Sequence, residues 1–181
     1  MKPSRHTMPE LSQLIALFYD KAETLGQFEE VSAQQTPPPF HQLLAHNEHM
    51  TVTVEKFHGC HVDVKVLDKQ TDGQYYSRKI LLTRQSDGKV VQYGIVRLNC
   101  EFLDEEPANE IKSERIPLGR VLIEHNVLRE VQLTCLWHVQ PAEELRELLA
   151  LEPNETVYGR TALIYCNGEP AVELLEIVTR D

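Results

Sequence analysis

Positive charge is scarce in this chain: 18 lysines and arginines stand against 28 aspartates and glutamates, a formal net charge of −10. Nonspecific nucleic-acid binding relies on clustered cations that neutralise phosphates, and no such cluster occurs, so no nucleic-acid partner is expected. An anionic ligand must instead be caught by a few local cations and backbone N–H groups, against an adverse overall field. Long apolar runs are also missing. No stretch approaches the roughly 18 to 20 residues that span a bilayer, which excludes a membrane-spanning helix. Cysteine is sparse and unpaired in spacing: Cys60, Cys100, Cys135 and Cys166 are scattered singly, as suits reduced thiols packed as small hydrophobes. The opening "MKPSRHTMPELSQLIALFYDKAETLG" is amphipathic and lacks a small-residue cleavage site, so no export signal is expected and the protein is placed in the cytoplasm. Glycine-rich phosphate loops, a nucleophile elbow and internal repeats are absent as well.

What is present is ordinary for a soluble globular protein: 41% hydrophobic and 25% charged residues over 181 positions, enough for one domain with a substantial core. "ELSQLIALFYDKAETLG" places Leu11, Leu14, Ile15 and Phe18 at helical spacing, ending on Gly26. "QTPPPFHQLLAHNEH" reads as a stiff proline connector followed by a short helix carrying Phe40, Leu43 and Leu44. From Met50 the period becomes two, and "MTVTVEKF" with "HVDVKVLDK" around "HGC" reads as a hairpin. A second hairpin runs through "QYYSRKILLTR", the turn "QSDGK" and "VVQYGIVRLNCEFL". "LDEEPANEIKSE" reads as a polar loop, "IPLGRVLIEHNV" as a short helix, "REVQLTCLWHV" as a strand and "QPAEELRELLALEPNE" as a helix. "TVYGRTALIYC" and "EPAVELLEIVT" form the last hairpin across an Asn-Gly turn. The expectation is a single α+β domain, with a largely antiparallel sheet of about six strands flanked by helices. Residues 1–39 supply a helix and connector to a domain spanning 40–181.

Three places carry unusual chemistry. In "YYSRKILL" the alternation puts Arg78 on one face with Tyr76, Ile80 and Leu82, so a guanidinium sits among apolar neighbours. It is either a partner for a buried acid or a fork for a ligand carboxylate. In "GEPAVELLEIVTRD" Glu176 shares a face with Val172, Leu174 and Val178, while Glu173 faces the other way to solvent. An unpaired carboxylate there is costly, so Glu176 either pairs with an arginine such as Arg78, Arg97 or Arg160, or has a proton to manage. In "IPLGRVL", Gly119 permits close backbone approach at a helix start, where N–H groups cradle anions. His46, His49, His58, Cys60 and His61 crowd together but lack zinc-ligand spacing, so no metal is expected.

These elements resemble the chorismate pyruvate-lyase family over residues 40–181. The anchors are "HMT" (Met50, Thr51), "SRKILL" (Arg78), "QYGIVRLN" (Gly94), "PLGRVL" (Leu118, Gly119) and the terminal "GEPAVELLEIV" (Glu176). The resemblance implies a cofactor-independent lyase that eliminates pyruvate from chorismate to give 4-hydroxybenzoate, in aromatic-acid or ubiquinone biosynthesis. It implies that Arg78 holds the ring carboxylate, that main chain at Met50, Gly94 and Leu118 lines the pocket, and that Glu176 acts at the far end of the ligand. A last strand one residue shorter in register would put Leu175 in the place of Glu176. Apolar side chains at Met50, Ile80, Leu82, Leu174 and Val178 would exclude water from a chamber sized for a six-membered ring. The stretch "QPAEELRELLALEPNETVYGRTALIYCNGEPAVE" is also similar to the ligand-sensing (UTRA) domains of GntR-type transcription regulators, which share the fold. That similarity implies the alternative, a noncatalytic domain sensing a small anion or aromatic acid. The residues before Phe40 are too few and too acidic for a winged helix.

Overall fold

The computed structural model describes residues 9–181; the first residues of the segment read for an export signal lie outside the described residues. Its strands are β1 (Gly26–Val31), β2 (Val62–Asp72), β3 (Tyr75–Arg84), β4 (Val90–Asn99), β5 (Arg129–Pro141), β6 (Val157–Cys166) and β7 (Glu169–Val178). Its helices are α1 (Leu11–Ala16), α2 (Phe40–Leu44), α3 (Met50–His58), α4 (Glu105–Lys112), α5 (Leu118–Glu124) and α6 (Glu143–Leu148). The strands make one seven-stranded antiparallel sheet in the order β1-β5-β6-β7-β4-β3-β2. The fold is thus α+β, with one strand more than the six expected.

The strand not anticipated is β1, whose "GQFEEV" has only a weak apolar alternation and is held by pairing with the end of β5, Gly26 opposite Pro141. Two further expectations are corrected. "MTVTVEKF" is helix α3 rather than a strand: Met50 and Val54 are buried one helical turn apart, and Val52 is exposed. Its alternating β-branched residues mimic a strand, but the helix ends cleanly on Gly59 at φ 67°, a left-handed cap that glycine adopts without strain. "LDEEPANEIKSE" contains α4 rather than a loop, since Ala108 and Ile111 suffice to bury one face and Glu105 and Glu106 suit the positive end of the helix dipole.

Alternation then decides what each face of the sheet meets. Leu81, Tyr93, Ile95, Leu175 and Ile177 join Leu14 and Ile15 of α1 in one core cluster. On that side the Tyr19 and Tyr93 hydroxyls lie 2.9 Å apart, and Lys79 Nζ donates to Glu144 Oε1 at 3.2 Å. The other face carries Val96, Leu98, Val172 and Leu174 against Ile111 of α4 and Leu118, Val121 and Leu122 of α5. Strands β6 and β7 approach very closely at Gly159: a Cβ there would stand 2.8 Å from the Glu176 carbonyl oxygen and 3.0 Å from Ile177 Cγ1. Backbone cannot yield as a side chain can, so Gly159→Ala is expected to destabilise the protein by about 1 to 3 kcal/mol in urea unfolding. An unchanged midpoint would show that the β6–β7 contact relaxes freely.

Candidate functional site

On the face covered by α4 and α5, beneath the starts of α3 and α5, lies a cavity of about 40 Å³. Its floor is built by strand pairing. Arg78 of β3 lies opposite Val96 of β4, which lies opposite Leu174 of β7. In the next row Ile80 meets Gly94, Gly94 meets Glu176, and Glu176 meets Arg160 of β6. Residues two apart share a face, so Arg78, Gly94, Glu176 and Arg160 all open onto the cavity. Its roof is the start of α3, with His49, Met50 and Thr51, and the start of α5, with Leu118 and Gly119. Gly119 lets the two helix starts close on each other, because a Cβ there would stand 3.1 Å from Thr51 Oγ1 and 3.3 Å from His49 Nδ1. The structure therefore brings Met50, Thr51, Arg78, Gly94, Leu118, Gly119 and Glu176 to one cavity. Leu175 points to the opposite side of the sheet and is fully buried in the other core, so the shorter register does not apply.

The charges are arranged unequally. Glu176 is paired: Arg160 Nε donates to its Oε2 at 2.8 Å, and Arg160 is completely buried. The same guanidinium donates to the carbonyls of His46 and Glu48, each at 2.9 Å, tying the loop before α3 to the carboxylate. Glu173 is not solvated as expected, because Arg97 Nε donates to it at 2.5 Å. Arg78, only 1% exposed, makes no ion pair among the described residues. Its Nη1 donates to the Ile111 carbonyl of α4 at 3.0 Å, and its Nε has no partner. Burial pulls its pKa below the ordinary arginine value, with the nearby Tyr76 and Glu114 pulling the other way.

Sequence reasoning missed two polar residues of the cavity. Gln92 is 3% exposed and its Oε1 is unpartnered; His49 is 9% exposed and its Nε2 is unpartnered. Gln92 shares its strand face with Gly94, and that phase was the available signal. His49 precedes Met50 directly, but reading α3 as a strand hid its position at the helix start. Burial, followed by Arg129 and Arg160, lowers the His49 pKa to about 4. Below pH 6.5 the unfolded chain takes up this proton while the folded one does not, so stability is full above 6.5 and falls as the pH drops toward 4. Relative to His49→Gln, the wild type is expected to lose about 3 kcal/mol across that window in chemical unfolding. Parallel pH profiles would show that His49 is not held neutral.

The remaining histidines disperse rather than gather. His46 Nε2 lies 2.7 Å from the Leu43 carbonyl and His61 Nδ1 lies 3.0 Å from Glu55, and no group of His, Cys, Asp or Glu among the described residues could hold a metal. No helix among the described residues is long and apolar enough to cross a membrane.

No protein-family profile matches the chain, and no curated protein matches it. Solved structures do. PhnF from Mycobacterium smegmatis matches over 72% of this chain and 63% of its own, at 12% identity and a TM-score of 0.55. The effector domain of the same protein matches over 72% of this chain and 88% of its own, at 11% identity and a TM-score of 0.51. A GntR-family transcriptional regulator from Bacillus cereus matches over 65% of this chain and 90% of its own, at 9% identity and a TM-score of 0.44. The chain thus spans less than two thirds of intact PhnF. These two PhnF structures are of a regulator and its effector domain, not of a lyase, and they run against the expectation of a chorismate-cleaving enzyme. In the structure Glu176, expected to transfer a proton, is engaged by Arg160, and the cavity is well below the roughly 150 Å³ that admits benzene. What the chain shares with these proteins is the α+β fold of UTRA-type ligand-binding domains.

Proposed function

We propose that this chain is a noncatalytic sensor domain that binds a small carboxylate-bearing anion on Arg78. One observation carries the reading: of the four buried side-chain atoms without a hydrogen-bond partner among the described residues, Arg78 Nε, His49 Nε2 and Gln92 Oε1 all belong to residues lining this one cavity. Each such atom costs about 1 to 3 kcal/mol while unpaired, and an occupant recovers that cost. With Glu176 and Arg160 paired, Arg78 supplies the positive charge of the cavity lining, and its unpartnered Nε–H can donate to an anionic occupant. The fold match to the effector domain of PhnF supports a binding role. At about 40 Å³ the cavity suits an acid of a few heavy atoms; an aromatic acid requires Met50 and Leu118 to draw back.

The test is thermal unfolding of the purified chain with acetate, lactate, pyruvate, benzoate and 4-hydroxybenzoate in turn. A ligand at one hundred times its Kd adds about 2.7 kcal/mol, which raises the Tm by about 5 to 10 °C in a chain of this size. A saturable rise with at least one acid is expected, and the acid is recovered unchanged. No rise with any acid, or consumption of the one that binds, would defeat the proposal.

A further inference from the structure

The cavity holds a second pole that the carboxylate leaves unused. Gln92 on β4 lies opposite Leu82 of β3 and Val178 of β7, both buried and apolar. Nothing in that row pairs with its carboxamide, and Oε1 is an orphan acceptor. An apolar residue would pack there without that cost, so the amide is retained at a loss unless something completes it. Between the Gln92 row and the Arg78 row, β4 carries Gly94, over which Ile80 closes, a Cβ there standing 3.3 Å from Ile80 Cδ1, so glycine keeps β4 from adding bulk between the two poles.

Resting on the sensor reading above, we infer that the occupant is a monoanion that also carries a hydroxyl, and that Gln92 is the residue selecting for that hydroxyl. The charge follows from the lining. Arg160 and Glu176 neutralise each other, which leaves Arg78 to balance one negative charge. His49 adds none, since burial keeps it neutral above about pH 4. A phosphate dianion or a dicarboxylate would bring a second charge with no partner. The hydroxyl follows from the amide: a group that both donates and accepts satisfies a carboxamide whichever way its two ends are turned. His49 Nε2, the other orphan, can meet a remaining oxygen from the roof.

The experiment uses matched pairs on the full chain by calorimetry: glycolate against acetate, lactate against propionate, 4-hydroxybenzoate against benzoate, with malate and inorganic phosphate as doubly charged probes. In at least one pair the hydroxylated acid is expected to bind about tenfold more tightly than its deoxy partner. Gln92→Leu should erase that preference, bringing the affinity for the hydroxylated acid down about tenfold to that of its deoxy partner, and Gln92→Met should do the same if the leucine variant does not fold. Equal binding within every pair, preference kept in both variants, or malate or phosphate binding more tightly than every monoanion would overturn the inference and leave the sensor reading standing. If no acid binds at all, both fall together.

Discussion

Arg160→Ala is expected to lower the unfolding free energy by about 3 to 5 kcal/mol, among the largest effects any single substitution in this chain can have. The guanidinium is fully buried and donates to Glu176 and to the His46 and Glu48 carbonyls, with His46 Nδ1 3.5 Å from its Nη1 as a fourth, longer contact. Removing it strands the Glu176 carboxylate at 6% exposure with no cation, and frees the loop that leads into α3. The pair itself gives little net stabilisation, because two charges have been taken out of water. The double variant Arg160→Met with Glu176→Met should therefore recover most of the loss, and a cycle of the two single and one double variants measures the coupling directly. Urea unfolding checks it. A loss below about 1 kcal/mol in Arg160→Ala would mean that the buried pair is not the anchor described above.

Arg78→Met should act in the opposite direction on stability and abolish binding. Arg78 is desolvated, has no acidic partner within ion-pair reach among the described residues, and donates to the Ile111 carbonyl beside the neutral Tyr76 hydroxyl. That bond is worth about 1.5 to 3 kcal/mol, whereas the effective cost of burying an uncompensated ion is several kcal/mol. Methionine fills similar space without the charge, so the unliganded variant is expected to be about 1 to 3 kcal/mol more stable than the wild type. The same variant should show no Tm rise with any acid that stabilises the wild type. Stability gained and ligand response lost in one substitution is the signature of a residue kept for binding. A variant that is less stable and still responds to the acid would assign Arg78 to the scaffold.

How much of this was legible beforehand differs from element to element. The strands that form the cavity floor were legible because alternation is local: once "YYSRKILL" and "VELLEIV" are extended, Arg78 and Glu176 must lie in phase with Ile80 and Leu174. The turn at Asn167 and Gly168 was legible for a similar reason, since both residues adopt positive φ, at 53° and 84°. Helix α3 was not. "MTVTVEKF" satisfies both a period of two and a turn of 3.6, and what chose the helix was the packing of Met50 and Val54 into the core. Strand β1 was not legible either, because an edge strand is held by hydrogen bonds to its neighbour more than by a pattern of its own. The lyase expectation failed for a related reason. Residue matches reported which side chains share a pocket, and the chemistry available there depends on what else each side chain touches.

The inward phase of Arg78 and Glu176, the scarcity of cations and the α+β class were already settled by residue type and by spacing within single segments. Only the tertiary structure decided that Arg160, on a different strand, neutralises Glu176, that Arg78 is left without an acid, and that Gln92 and His49 end in the same cavity. Those outcomes depend on the register of β6 against β7 and on which helix starts meet above the sheet. Such pairings are set by contacts far apart along the chain, where no local spacing can specify which charge meets which.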